Sequence, residues 1–108
     1  MRACVDTATR TAWLLSGGAV VAGPLPVSLG GPGHATPRGT FAVVWKDEVH
    51  TSSTYGTPMA YSVFFAAGGI AFHEGDVRSP SHGCVHLRHA DAALLFATLA
   101  PGDAVRVL

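Results

Sequence analysis

Glycine and proline cut the apolar runs of this chain so often that only one segment is left with the length and spacing of a helix. The 13 glycines and 7 prolines fall between short β-branched and aromatic stretches, as turn punctuation does in a β-rich domain. Thr11 to Leu15 and Ala19 to Ala22 flank Ser16-Gly17-Gly18 and predict a hairpin. Pro24 and Pro26 make the next segment, leading into Val27-Ser28-Leu29, an edge or irregular strand, because proline cannot donate to a ladder. Gly30 to Gly39 is a loop by composition, and Thr40 to Trp45 predicts a strand. A polar break at Lys46, Asp47 and Glu48 is followed by a loop from His50 to Met59. Tyr61 to Phe65 and Gly69 to Phe72 predict two buried strands. From Asp91 the period changes: Ala92, Leu95, Phe96 and Leu99 lie on one helical face, and the helix ends before Pro101-Gly102. Asp103 to Val107 closes the chain as a last strand. The expected fold is mainly β with one helix, a single domain over residues 1–108.

The amounts of apolar and charged material agree with that reading. Hydrophobic residues at 48% against 13% charged are enough to bury a core and too apolar for a disordered chain. Seven Lys plus Arg balance seven Asp plus Glu, so no global charge attracts nucleic acid or anionic lipid, and a nucleic-acid partner is not expected. The longest apolar run, Tyr61 to Phe72, is too short to span a bilayer. Asp6, Thr7, Thr9 and Arg10 break up the N-terminal stretch, so no targeting segment is read there.

The chemistry is concentrated between Phe72 and Leu87. A cysteine becomes a useful nucleophile when a nearby imidazole can take its proton. His73 and His82 supply imidazoles, and Gly83 lets the backbone bend sharply just before Cys84. Amides at such a bend can hold the oxyanion of a tetrahedral intermediate. A disulfide between Cys4 and Cys84 is disfavoured by this context, and Cys4 is read as a small buried residue of the first strand. A zinc site is the rival reading: His82, Cys84 and His86 alternate and would share one face of an extended strand, with His89 near. Glu74 and Asp76 are read as solvated loop charges or a weak attraction for an amine, and His34, His50 and His89 as residues without chemistry.

Ser81-His82-Gly83-Cys84 resembles the core of the L,D-transpeptidase (YkuD-type) signature. Thr36-Pro37-Arg38-Gly39-Thr40-Phe41 is similar to the segment that opens a central strand in that family, and Gly69-Ile70-Ala71-Phe72-His73 to the strand carrying its upstream histidine. The resemblance runs from about Thr11 to the end. It implies a YkuD-like β-sandwich with one α-helix after the cysteine, and a peptidoglycan L,D-transpeptidase acting on stem peptides. In that reading Cys84 attacks and forms a thioester, and His73 is the general base, its ring oriented by a backbone carbonyl. His82, Gly83 and Cys84 line the oxyanion site, and Ser81 sets the loop. Tyr61, Arg78 and Arg88 are the substrate-binding candidates, with Arg38 as a further residue able to meet a carboxylate. No metal and no organic cofactor is implied. Further implications are a monomer, an extracytoplasmic location with export directed from outside this chain, and acylation of Cys84 by carbapenems.

One departure stands out: His86 occupies the place where the family often has Arg or Asn, and Arg88 lies two residues beyond. The spacer from His73 to Ser81 is short, so any cover for the site is expected from His50 to Met59. An L,D-carboxypeptidase using the same Cys84 and a catalytically weak wall-binding module are the alternative functions.

Overall fold

A computed structural model describes residues 1–108. Its strands are β1 (Ala3–Asp6), β2 (Thr11–Ser16), β3 (Ala19–Ser28), β4 (Gly39–Ala42), β5 (Trp45–Asp47), β6 (Ser62–Ala66), β7 (Ile70–Glu74), β8 (Val85–Leu87) and β9 (Ala104–Val107); the one helix is α1 (His89–Thr98). The strands form a nine-stranded sheet in the order β4-β9-β1-β2-β3-β8-β7-β6-β5. The sandwich expectation takes the form of one sheet curled over on itself. Phe41 of β4 meets Phe65 of β6 edge to face at 5.7 Å between the ring centroids, so strands from opposite ends of the order touch.

Alternation decides which residues fill the interior. In β1 Ala3 and Val5 are buried, in β2 Ala12 and Leu14, in β9 Val105 and Val107. Strands β6 and β7 are buried on both faces along Ser62 to Phe65 and Ala71 to His73, as expected for the apolar runs there. Helix α1 packs Ala92 and Leu95 inward, and Leu99 just past its end is fully buried. No helix is long and apolar enough to cross a membrane.

The hairpin of β2 and β3 forms as expected around Gly17-Gly18. Strand β3 runs on through Pro24 and Pro26 as a single ten-residue strand. It pairs with β2 up to Pro26 and with β8 only at Val27 and Ser28, which leaves the proline nitrogens on an unpaired side. Three expectations are corrected. Thr40 to Trp45 is not one strand: the chain breaks at Val43-Val44, β4 pairs with β9, and β5 crosses to pair with β6. Lys46 and Asp47 belong to β5 and not to a polar break, since the Lys46 Nζ reaches the Phe96 carbonyl at 2.7 Å and sits over the Phe96 ring. The helix starts at His89, two residues before Asp91, because strand β8 ends at Leu87 and Arg88 at once takes the N-cap position.

Candidate active site

Strands β7 and β8 run parallel with Phe72 opposite Val85, His73 opposite His86 and Glu74 opposite Leu87. Register partners share a face, so the side chains of His73 and His86 point the same way, and Cys84, two residues before His86, joins them. A cavity of about 310 Å³ opens on that face, lined by His73, Cys84 and His86 together with His50, Tyr55 and His82. The imidazoles of His73 and His86 meet edge to face at 4.8 Å. The ring of His86 has room because Gly75 lies against it: a Cβ there would fall 2.7 Å from the imidazole.

The protonation geometry of His73 is fixed by its backbone. Its Nδ1 lies 2.7 Å from the Glu74 carbonyl, which can only accept, so Nδ1 carries the proton and Nε2 is left as the acceptor. Burial holds the imidazole neutral, down to about 4 from 6.5; the Glu74 bond works against this, while His86 and His50 add to it. Burial also pushes the Cys84 thiol above its ordinary value, against a backbone hydrogen bond from Ala71. Its Sγ donates to the Gly69 carbonyl at 3.4 Å. At neutral pH the site therefore holds a neutral imidazole and a neutral thiol, the starting point for general-base removal of the thiol proton during attack.

The turn before the sulfur is tied on all sides. Gly83 has φ +124, a conformation that L side chains rarely adopt, so the backbone calls for glycine here. The Ser81 hydroxyl accepts from the Gly83 amide at 3.0 Å and donates to the Cys84 carbonyl. Thr36, buried in the 30–39 loop, donates to the Gly83 carbonyl at 2.8 Å and accepts from the Gly30 amide at 3.0 Å. The amides of the three residues expected at the oxyanion site differ in their engagement. The Gly83 amide is already engaged by Ser81, while the His82 and Cys84 amides make no hydrogen bond within the chain.

The other expected site residues are scattered. Tyr61, at φ 57, stacks edge to face on His89 and Phe96 over the helix and does not line the cavity. Arg88 pairs with Asp91 at 3.2 Å at the helix start, because β8 ends before it and the chain turns away. Arg78 lies outside this cavity, beside Asp76. Glu74 pairs with His89 at 2.8 Å, and Asp76 receives the Arg78 amide and the Ser79 hydroxyl, which hold its carboxyl below the usual range; the two carboxylates form no acid/base pair. The zinc arrangement is not assembled: His82, Cys84 and His86 all line the cavity, but no three His, Cys, Asp or Glu side chains are grouped closely enough to hold a metal. Cys4 and Cys84 are both free. Cys4 is half-buried, on the face of β1 opposite Ala3 and Val5, not in the core.

Sequence reasoning missed three contributors. His50 lines the cavity and binds Asp47 Oδ2 at 3.0 Å. Tyr55 stacks flat on His82 at 3.8 Å, so the 50–59 loop does reach over the site. His34 meets His82 edge to face at 5.1 Å. Aromatic type was the only linear signal at these positions, and nothing in the linear order pairs them.

A family model described as the L,D-transpeptidase catalytic domain (YkuD) matches residues 1–107. Among solved structures, an L,D-transpeptidase from Stackebrandtia nassauensis is 31% identical with a TM-score of 0.91, covering 98% of this chain and 54% of its own. An L,D-transpeptidase from Mycobacterium smegmatis is 26% identical with a TM-score of 0.88, covering 98% of this chain and 57% of its own. An L,D-transpeptidase in complex with imipenem is 26% identical with a TM-score of 0.87 and the same two coverages, 98% and 57%. The chain thus spans little more than half the length of these structures. No curated protein matches it.

Proposed function

Because the chain belongs to the L,D-transpeptidase catalytic domain family, we propose that it is a peptidoglycan L,D-transpeptidase in which Cys84 is the nucleophile and His73 the general base. The single observation that carries this reading is that His73 and Cys84 open on one cavity while Nδ1 of the histidine is tied to a carbonyl. Nε2 is then the ring atom free to take a proton.

In the first half-reaction the sulfur attacks the carbonyl of the third residue of a tetrapeptide stem as its proton passes to His73 Nε2. The oxyanion forms against the His82 and Cys84 amides. Collapse breaks the peptide bond, His73 returns the proton to the departing D-alanine, and a thioester on Cys84 remains. In the second half-reaction an amine of another stem attacks the thioester and loses its proton to His73. The sulfur leaves, recovers that proton, and a cross-link between third residues is formed. Each step conserves protons within the pair and uses only groups of this chain and the two stems. An extracytoplasmic site of action follows from the substrate.

Intact mass spectrometry after exposure to imipenem tests the assignment. The expected result is one covalent adduct, absent in Cys84→Ala. An adduct that persists in that variant, or none in the parent chain, would refute it. Incubation with a tetrapeptide stem, with and without an acceptor amine, then separates transfer from hydrolysis by product mass.

A further inference from the structure

The positive side chains of this neutral protein are unevenly satisfied. Of its seven Lys and Arg residues, five reach a partner, one of them, Arg78, only loosely. Arg2 reaches the Leu15 carbonyl and Asp103, Lys46 the Phe96 carbonyl, Arg88 Asp91, and Arg106 the Thr40 hydroxyl. Arg10, Arg38 and Arg78 line one open cleft of about 510 Å³. Arg10 and Arg38 make no ion pair, and Arg78 has only a 3.5 Å contact with Asp76 while its side chain is 89% exposed. No Asp or Glu lines the cleft. The three come from separate parts of the chain: the β1–β2 turn, the 30–39 loop and the 75–80 loop. Arg10 stands at φ 53, a backbone conformation that residues other than glycine rarely adopt, and its carbonyl is held by the Val27 amide at 3.1 Å.

The cleft is the neighbour of the cysteine cavity. Gly30 and Ser81 are bridged, Gly31 donates to the Ser81 carbonyl at 3.1 Å, and Ser81 donates to the Leu29 carbonyl at 2.9 Å. Leu29, Gly30 and Gly31 line the cleft and Ser81 lines the cavity, so these backbone contacts join the wall of one to the wall of the other. Transfer requires two stems at once, and guanidinium forks match carboxylates in a paired geometry. We propose that Arg10, Arg38 and Arg78 form a carboxylate-binding subsite for the acceptor stem peptide, beside the thioester. The assignment deepens the transpeptidase reading and rests on it.

Direct binding provides the test. A synthetic acceptor stem with free carboxylates is titrated into the Cys84→Ala chain, alongside the same stem with its carboxylates amidated. Expected are binding of the free form, weakening as salt rises, and a loss of about tenfold in Arg10→Gln/Arg38→Gln. In steady-state transfer the same double variant should raise KM for the acceptor more than it lowers kcat. Equal binding of the amidated stem, salt-independent binding, or no change in the double variant would overturn the proposal. Displacement of the stem by inorganic phosphate at equal ionic strength would overturn the carboxylate assignment. Imipenem acylation of the parent chain reports on the cysteine site separately, so failure of one reading is not mistaken for failure of the other.

Discussion

His73 is the residue on which acid sensitivity turns. Its folded value of about 4 lies below the unfolded 6.5, so as pH falls from 6.5 the unfolded chain takes a proton that the folded chain refuses. Stability is therefore lost between about pH 6.5 and pH 4, by up to ~3 kcal/mol, and no further loss from this group occurs below that window. Urea midpoints at pH 7 and pH 4.5 should differ less in His73→Asn than in the parent. The same shift bears on chemistry. With a neutral base and a neutral thiol, the rate of acylation by imipenem should stay flat down to about pH 5 and fall toward pH 4. A fall centred near 6.5 would mean that the working base is a solvated imidazole and not this one. The meeting of His73 and Cys84 on one cavity was legible in the linear pattern, because the tetrad at 81–84 and the histidine on the preceding strand are local features. His50, Tyr55 and His34 were not, because each reaches the site through a contact that the loops create between distant residues.

At the scale of elements, the site is a junction between a strand pair and two loops. Parallel pairing of β7 with β8 puts His73 and Cys84 on one face, and the 30–39 loop holds the turn in place through Thr36. Thr36→Val keeps the shape and removes the hydroxyl, leaving the Gly83 carbonyl and the Gly30 amide without their partner. A cost of about 1–3 kcal/mol is expected from urea unfolding. The acylation rate should fall as well, since the turn that aims the sulfur loosens; unchanged kinetics would show that Ser81 alone sets the turn. The strand at Thr40–Trp45 was misread for a related reason. β-branched and aromatic residues report strand propensity but not which partner each half finds, and here the two halves pair with β9 and β6. The helix start was misplaced because Arg88 offers no side-chain cap of the kind that marks an N-terminus.

For the whole molecule, what matters is how the two ends of the sheet are held against each other. Strand β9 lies between β1 and β4 and so ties the C-terminal residues to the N-terminal ones. Strands β5 to β8 carry the cavity, and the contact back to β4 runs through Phe65, which touches Phe41 at 5.7 Å and Phe72 at 4.8 Å. Phe65 is 2% exposed, so Phe65→Ala both opens a hole and removes the ring that joins the halves. A loss of about 3–5 kcal/mol is expected from the cavity and the lost transfer energy together. In a domain this small each kcal/mol lowers Tm by about 4–8 °C, so calorimetry should show a drop on the order of 15 °C or more. Because Phe72 precedes His73 on β7, the damage should reach the chemistry: imipenem acylation would slow even at temperatures where the variant is still folded. A variant that loses stability while reacting at the parent rate would mean that β7 and β8 keep their register without the closing contact, and that the curl of the sheet serves stability alone.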